Sequence, residues 1–172
     1  MYNAITARWL SKYGTAFGRD NVYRSDLLYL DGDLTFANTI LNLYSANEST
    51  LLNYIPEIQS LNFSGCSNLT STYTVPGGTS QNLLVFNKMP NLESLNIYGC
   101  VSLTEDIDLS MCTELTSVDA RNTLINVIIP DNSIITSYKL GTPTSIRIVN
   151  PTVLDPDNVI VVDHQSLTSL VL

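Results

Sequence analysis

Histidine occurs once in the 172 residues, tryptophan once and cysteine three times, and only 8 basic residues stand against 16 acidic ones. Each scarcity excludes something. A net charge of −8 argues against a broad phosphate-binding face, so nucleic acid is not an expected partner. No apolar run reaches the roughly 18 residues needed to cross a bilayer, and the N-terminal MYNAITARWLSKYGTAFGRD lacks the continuous apolar core of a secretory signal. An odd number of cysteines, none paired as C-x-x-C, speaks against a disulfide framework and against zinc or redox sites. His164 has no neighbouring nucleophile or second ligand, which leaves no team for acid–base catalysis. No glycine-rich phosphate loop or G-x-S-x-G elbow is present, and Gly77-Gly78 reads as a turn. The expectation is a non-enzymatic chain without cofactor or metal. The acidic runs Glu105/Asp106/Asp108 and Asp155/Asp157/Asp163 lack the glycine and distal Glu of a calcium loop and read as solvated edges.

What is present is a core and a rhythm. Apolar residues make up 44% of the chain, enough for a folded domain. Apolar-x-apolar pairs recur from Leu61/Phe63 through Tyr73/Val75, Leu84/Phe86, Leu95/Ile97, Ile107/Leu109, Val118/Ala120, Val127/Ile129, Tyr138/Leu140, Ile146/Ile148 and Val159/Val161 to Leu170/Leu172. The 109 residues between Phe63 and Leu172 hold ten steps, a mean of 10.9. Alternation sends the paired apolar side chains to one face, so each pair predicts a very short strand that is stable only when stacked on its neighbours. Three residues after the second apolar position come Cys66, Cys100, Cys112, Thr123, Asn132 and His164, and a further three on, in most copies, a Leu or Ile. The cysteines therefore read as punctuation of the repeat: reduced, inward-facing thiols rather than chemistry.

The phrase L-x-L-x-x-(C/N/T)-x-x-L, often followed by Thr-Ser, resembles the leucine-rich repeat, in a short variety whose half-repeats near 11 residues combine into coils of about 22. The resemblance covers about residues 58 to 172, with LNLYSAN at 41 to 47 as a possible earlier copy. It implies a leucine-rich-repeat solenoid, mostly β with short parallel strands, preceded by a non-repeat segment; a three-sided parallel β-helix fits the same spacing. Similar arrays occur in bacteriophage virion proteins and bacterial surface proteins. The resemblance accordingly implies a structural or protein-binding module that assembles with other protein subunits, a virion component in preference to an adhesin for a host protein or glycan. Pro143 and Pro151 interrupt the ladder position and predict irregular late coils. The chain stops on an apolar strand pair at Leu172, where more chain or another subunit is expected to cover the last coil.

Two regions follow: residues 1–38, a terminal arm or cap, and residues 39–172, the repeat array. In the first, Ile5, Trp9, Tyr13 and Phe17 share one face of an expected helix. The first 24 residues hold four basic residues against one acidic (+3), leaving four against fifteen (−11) in the rest. A cap over the first coil is the favoured reading of this segment, and the alternative is an arm that docks on a neighbouring subunit, with Trp9, Arg8, Lys12 and Arg19 as its candidate residues. Asp31-Gly32 predicts a hairpin. In the array, the middle residues of the strands point outward. Two strands per coil would place Asn96, Asp119 and Lys139 on one face, with Asp108 and Arg147 on the other. Asn96, Asp119 and Lys139, with Tyr44 and Tyr98 as aromatic anchors, are the candidate partner-binding residues.

Overall fold

The computed structural model describes residues 1–16, 18, 23–45, 49–74, 76–130, 137–140, 146–148, 162–163 and 170–171. Arg19, His164, Asn132, Val159 and Val161, and with them those sequence expectations, lie outside this set.

Helix α1 (Tyr2–Tyr13) is followed by a single turn, α2 (Arg24–Leu27), and then by short strands: β1 (Gly32–Thr35), β2 (Tyr44–Ser45), β3 (Ser49–Thr50), β4 (Ile58–Asn62), β5 (Thr72–Thr74), β6 (Ser80–Asn82), β7 (Ser94–Asn96), β8 (Ile107–Asp108), β9 (Ser117–Ala120), β10 (Val127–Ile129), β11 (Ser137–Leu140), β12 (Ile146–Ile148), β13 (Val162–Asp163) and β14 (Leu170–Val171). From β7 onward the strands go alternately to two sheets. One has the order β1-β4-β7-β9-β11-β13 and the other β14-β12-β10-β8. All pairings within both are parallel. Thus the protein is mostly strand with few helices, and its strands alternate between two parallel sheets, as the half-repeat rhythm predicts.

Register explains the periodicity. Leu34, Leu61, Leu95 and Val118 are aligned across β1, β4, β7 and β9 and form one buried row. The position two residues on holds Phe36, Phe63, Ile97 and Ala120, also buried. Phe36 and Phe63 stack with centroids 4.6 Å apart and planes within 5°. Facing them, Ile107 and Val127 are paired in the second sheet, and Leu109 and Ile129 are equally buried. Large aliphatics that reach water in an isolated strand are covered here by the next layer, each contributing about 1.5–3 kcal/mol on burial.

Three sequence expectations are corrected. Gly32 does take a positive φ of 69°, but it opens strand β1 and no hairpin follows: β1 pairs in parallel with β4. The sheet therefore starts inside residues 1–38. The pair Tyr73/Val75 is not a repeat strand, because β5 and β6 form an antiparallel hairpin. That insertion separates the aligned Leu61 and Leu95 by 34 positions, against 23 from Leu95 to Val118. The segment 41–47 gives a second small antiparallel pair, β2 with β3, rather than a parallel copy. Tyr138 in β11 is aligned with Val162 in β13. Local apolar alternation marks a strand in each case, but it carries no information on which neighbour the strand will pair with.

Helix α1 packs beside β1 and the core. Ile5 is buried and Trp9 half-buried against the core, and α1 ends at Gly14 in a left-handed C-cap. Arg8 Nη2 and Lys12 Nζ lie 3.0 and 2.9 Å from the two oxygens of Asp31. Arg8 Nε donates to the Asp31 carbonyl and Lys12 Nζ to that of Tyr29. Gly32 suits this arrangement: its φ of 69° is one that an L side chain adopts only with strain, and a Cβ there would press on the Arg8 guanidinium, which would have to move. Gly32→Ala is expected to cost about 1–3 kcal/mol, combining the left-handed backbone with loss of the Arg8 contacts. Amide exchange should show residues 2–13 losing protection first, and unchanged exchange there would refute the packing role assigned to Gly32.

Candidate functional site

The outward residues of the first sheet form straight rows. Asn62, Asn96, Asp119 and Lys139 are aligned across β4, β7, β9 and β11, and Ser60, Ser94, Ser117 and Ser137 form the row two residues before. Asn96, Asp119 and Lys139 do share one face, and Asp108, Ile128 and Arg147 are aligned in the other sheet. The structure also shows what the sequence does not: these side chains already have work inside the fold. The backbone N–H two residues on donates to the side-chain oxygen of Asn62, Asn96, Asp108 and Asp119, at 2.9, 3.0, 2.9 and 3.2 Å. Asn42 and Asn82 do the same. Each short polar side chain mimics a backbone carbonyl, and Asn62, Asn96, Asp108 and Asp119 start the turn that follows their strand. In the first sheet the third residue after it is left-handed, as Gly65, Gly99 and Asn122 with φ of 76°, 73° and 57°.

Asp119 is the most elaborated of these positions. Its two oxygens accept from Arg121 Nε at 3.0 Å and Nη2 at 2.7 Å. Burial pushes the Asp119 carboxyl up, but the Arg121 hydrogen bonds and the charges of Arg121 and Lys139 outweigh it, and the net direction is down. The Arg121 guanidinium also sits 5.3 Å from the centre of the Tyr98 ring, in reach of a cation–π contact. Tyr98 is 39% exposed and Leu124 is 76% exposed. Tyr44, by contrast, is half-buried with its ring 4.5 Å from that of Tyr73, a packing role. Of the docking-arm candidates, Arg8, Lys12 and Trp9 are engaged within the chain. The Lys12 hydrogen bond, with Arg8, holds the Asp31 carboxyl below its ordinary range.

The three thiols follow the punctuation reading. All are free and fully buried. Cys66, Cys100 and Cys112 direct Sγ at the carbonyls of Ala37, Phe63 and Phe86, 3.4, 3.2 and 3.8 Å away in the preceding layer. Desolvation raises all three, and Cys100 and Cys112 are pushed up to about 12. Thr123, in the same position of its layer, donates instead to Ala120 at 2.6 Å.

A concave site lies at the edge of the second sheet. The segment 83–86 stacks against β8, and the Cys112 thiol reaches back to Phe86, yet no strand pairing joins the two. The hairpin accounts for this: Leu83 N–H donates to Ser71, and Leu83 and Leu84 are both buried, which breaks the alternation that a strand needs. Ser71 is itself fully buried and accepts from the amides of Thr104 and Glu105. A cleft of about 250 Å³ opens between the segment and β8, with Asn82, Asn87, Asp106, Asp108, Ser110 and Met111 around it. A second, of about 230 Å³, lies on the other side of the segment, beside Thr50, Asn53 and Lys88. Sequence reasoning passed over Asn82 and Asn87, since the cleft arises from a failed pairing that no local pattern announces.

Among the described residues no group of three or more His, Cys, Asp or Glu side chains could hold a metal. Both oxygens of Asp106 accept from Asn126, so that part of the acidic run serves the fold. No described helix is long and apolar enough to cross a membrane. Neither the sequence nor the fold matches a known protein family, a curated protein or a solved structure. The class the geometry defines is a mostly β protein of short parallel strands.

Proposed function

We propose that this chain is a non-enzymatic, protein-binding solenoid of the leucine-rich-repeat type, serving as a structural component of a bacteriophage particle. The observation that carries the binding-module reading is the alternation of short parallel strands between two sheets, which leaves in-register rows of half-buried small polar residues from Ser60/Asn62 to Ser117/Asp119. Tyr98, Arg121 and Leu124 border those rows, and aromatic and Arg side chains are the residue types that most often anchor protein interfaces. The virion assignment rests on the likeness of the repeat phrase to that of phage particle proteins. Density-gradient purification of particles released from cells carrying the gene tests it. The chain should co-sediment with particles at fixed stoichiometry through high-salt washing. Recovery in the outer cell-surface fraction, with particles free of it, would replace this reading with that of a surface adhesin.

A further inference from the structure

The cleft beside β8 has properties that the interface reading does not use. β10 bonds β8 on one side through the Ile107 and Leu109 amides, which donate to Asn126 and Ile128 at 3.0 and 2.8 Å. Backbone groups alternate in direction along a strand, so the Asp108 N–H and C=O face the other way, toward the cleft, where no strand pairs with them. Around them stand polar groups with capacity left over. Asp108 uses Oδ1 to accept from Ser110 N–H and keeps Oδ2. Asn82 uses Oδ1 to accept from Leu84 N–H and keeps its amide donors. Asn87 is exposed, and its carboxamide has no hydrogen bond to the described residues. Half-buried Val85 and the 58% exposed Met111 supply an apolar lip.

This chemistry selects among ligands. An anion meets two carboxylates. A hard cation wants about six oxygen ligands, but both Asp106 oxygens already accept from Asn126 and few free oxygens remain. At about 250 Å³ the cleft falls below the usual 300–1,000 Å³ range of drug-sized pockets, which suits one small ring. A neutral, hydroxyl-bearing ring answers each feature. Adjacent hydroxyls can donate to Asp108 Oδ2 while accepting from the amides of Asn82 and Asn87, and a C–H face can rest on Val85 and Met111. We propose that the cleft between residues 82–87 and β8 binds a single neutral pyranose of a glycan. The site stands independently of the particle assignment, since a glycan ligand is compatible with a virion or a cell surface.

Methionine methyl labelling provides the test, because only Met1, Met89 and Met111 are present and Met111 alone lines the cleft. The folded full chain is titrated with the methyl glycosides of glucose, galactose and mannose and with N-acetylglucosamine, with calcium chloride as a separate arm. At least one sugar should move the Met111 methyl along a saturating curve, with half-saturation on the order of 1–10 mM, while Met1 and Met89 stay still. Asn87→Ala removes a carboxamide that makes no hydrogen bond to the described residues, although Asn87 lies in the turn closed by Met89 N–H and the Phe86 carbonyl, and should weaken that sugar about fivefold or more; Asp108→Asn keeps the Oδ1 acceptor and should also weaken it. Unchanged thermal melts will establish that both variants are folded. The proposal is overturned by a Met111 signal that no sugar moves at tens of millimolar, by equal affinity in a folded Asn87→Ala variant, or by calcium alone reproducing the shift.

Discussion

Phe63→Ala is expected to destabilise the protein by about 3–5 kcal/mol, the range for truncating a fully buried aromatic side chain. Phe63 is fully buried and lies flat against Phe36, at the junction between the first strand and the regular array. Its backbone is equally committed: its N–H donates to Asn96 at 2.7 Å and its carbonyl lies 3.2 Å from the Cys100 thiol. Closing the void by a shift of the chain would break those bonds, so the cavity will largely persist. For a chain of this length each kcal/mol lowers the melting temperature by about 2–4 °C, which predicts a fall on the order of 10 °C. Phe63→Leu retains most of the volume and should lose less than half as much. A drop of only one or two degrees for Phe63→Ala would show that the Phe36–Phe63 stack does not join the two parts of the core.

The second large effect is alkaline instability set by the thiols. Cys100 and Cys112 ionise at about 12 in the folded protein, against an ordinary value of 9.0, with burial as the leading cause. The folded state therefore holds these protons more tightly than the unfolded chain. Their contribution is complete below about pH 9 and diminishes as pH rises from there toward 12, because only the unfolded chain ionises in that window. At pH 10.5 the loss is about 2 kcal/mol for each thiol, taking 1.36 kcal/mol per pH unit. Urea melts from pH 8 to 10.5 should show a decline that the Cys100→Ala/Cys112→Ala protein largely lacks, with tyrosine ionisation common to both. Disulfide reagents should label none of the thiols at pH 8 until the protein is unfolded. Rapid labelling under native conditions would contradict the burial of the ladder position.

The inward half of this protein is legible in its sequence. Leu61, Leu95 and Val118 recur because stacked strands bury one face, and Cys66, Cys100 and Cys112 recur because a small side chain is needed where each turn closes over the layer before it. The outward half is less so. Asn96 and Asp119 have the polarity of a binding surface, and only the hydrogen bonds to Tyr98 and Arg121 reveal that the same atoms start the turns. Pairing partners were beyond local reading altogether. Gly32 looks like a hairpin glycine, yet it begins a parallel strand whose partner lies some 26 residues on, with Arg8 packed where a side chain would be. The sequence by itself determined the rhythm, the core-facing positions and the recurring buried thiols, because apolar burial follows a short local period. Only the tertiary structure decided that two parallel sheets share the later strands, that α1 packs beside β1, and that a cleft opens where residues 83–86 fail to pair with β8. Those outcomes depend on hydrogen bonds between segments distant in the chain, and local alternation does not encode which distant edge a strand will meet.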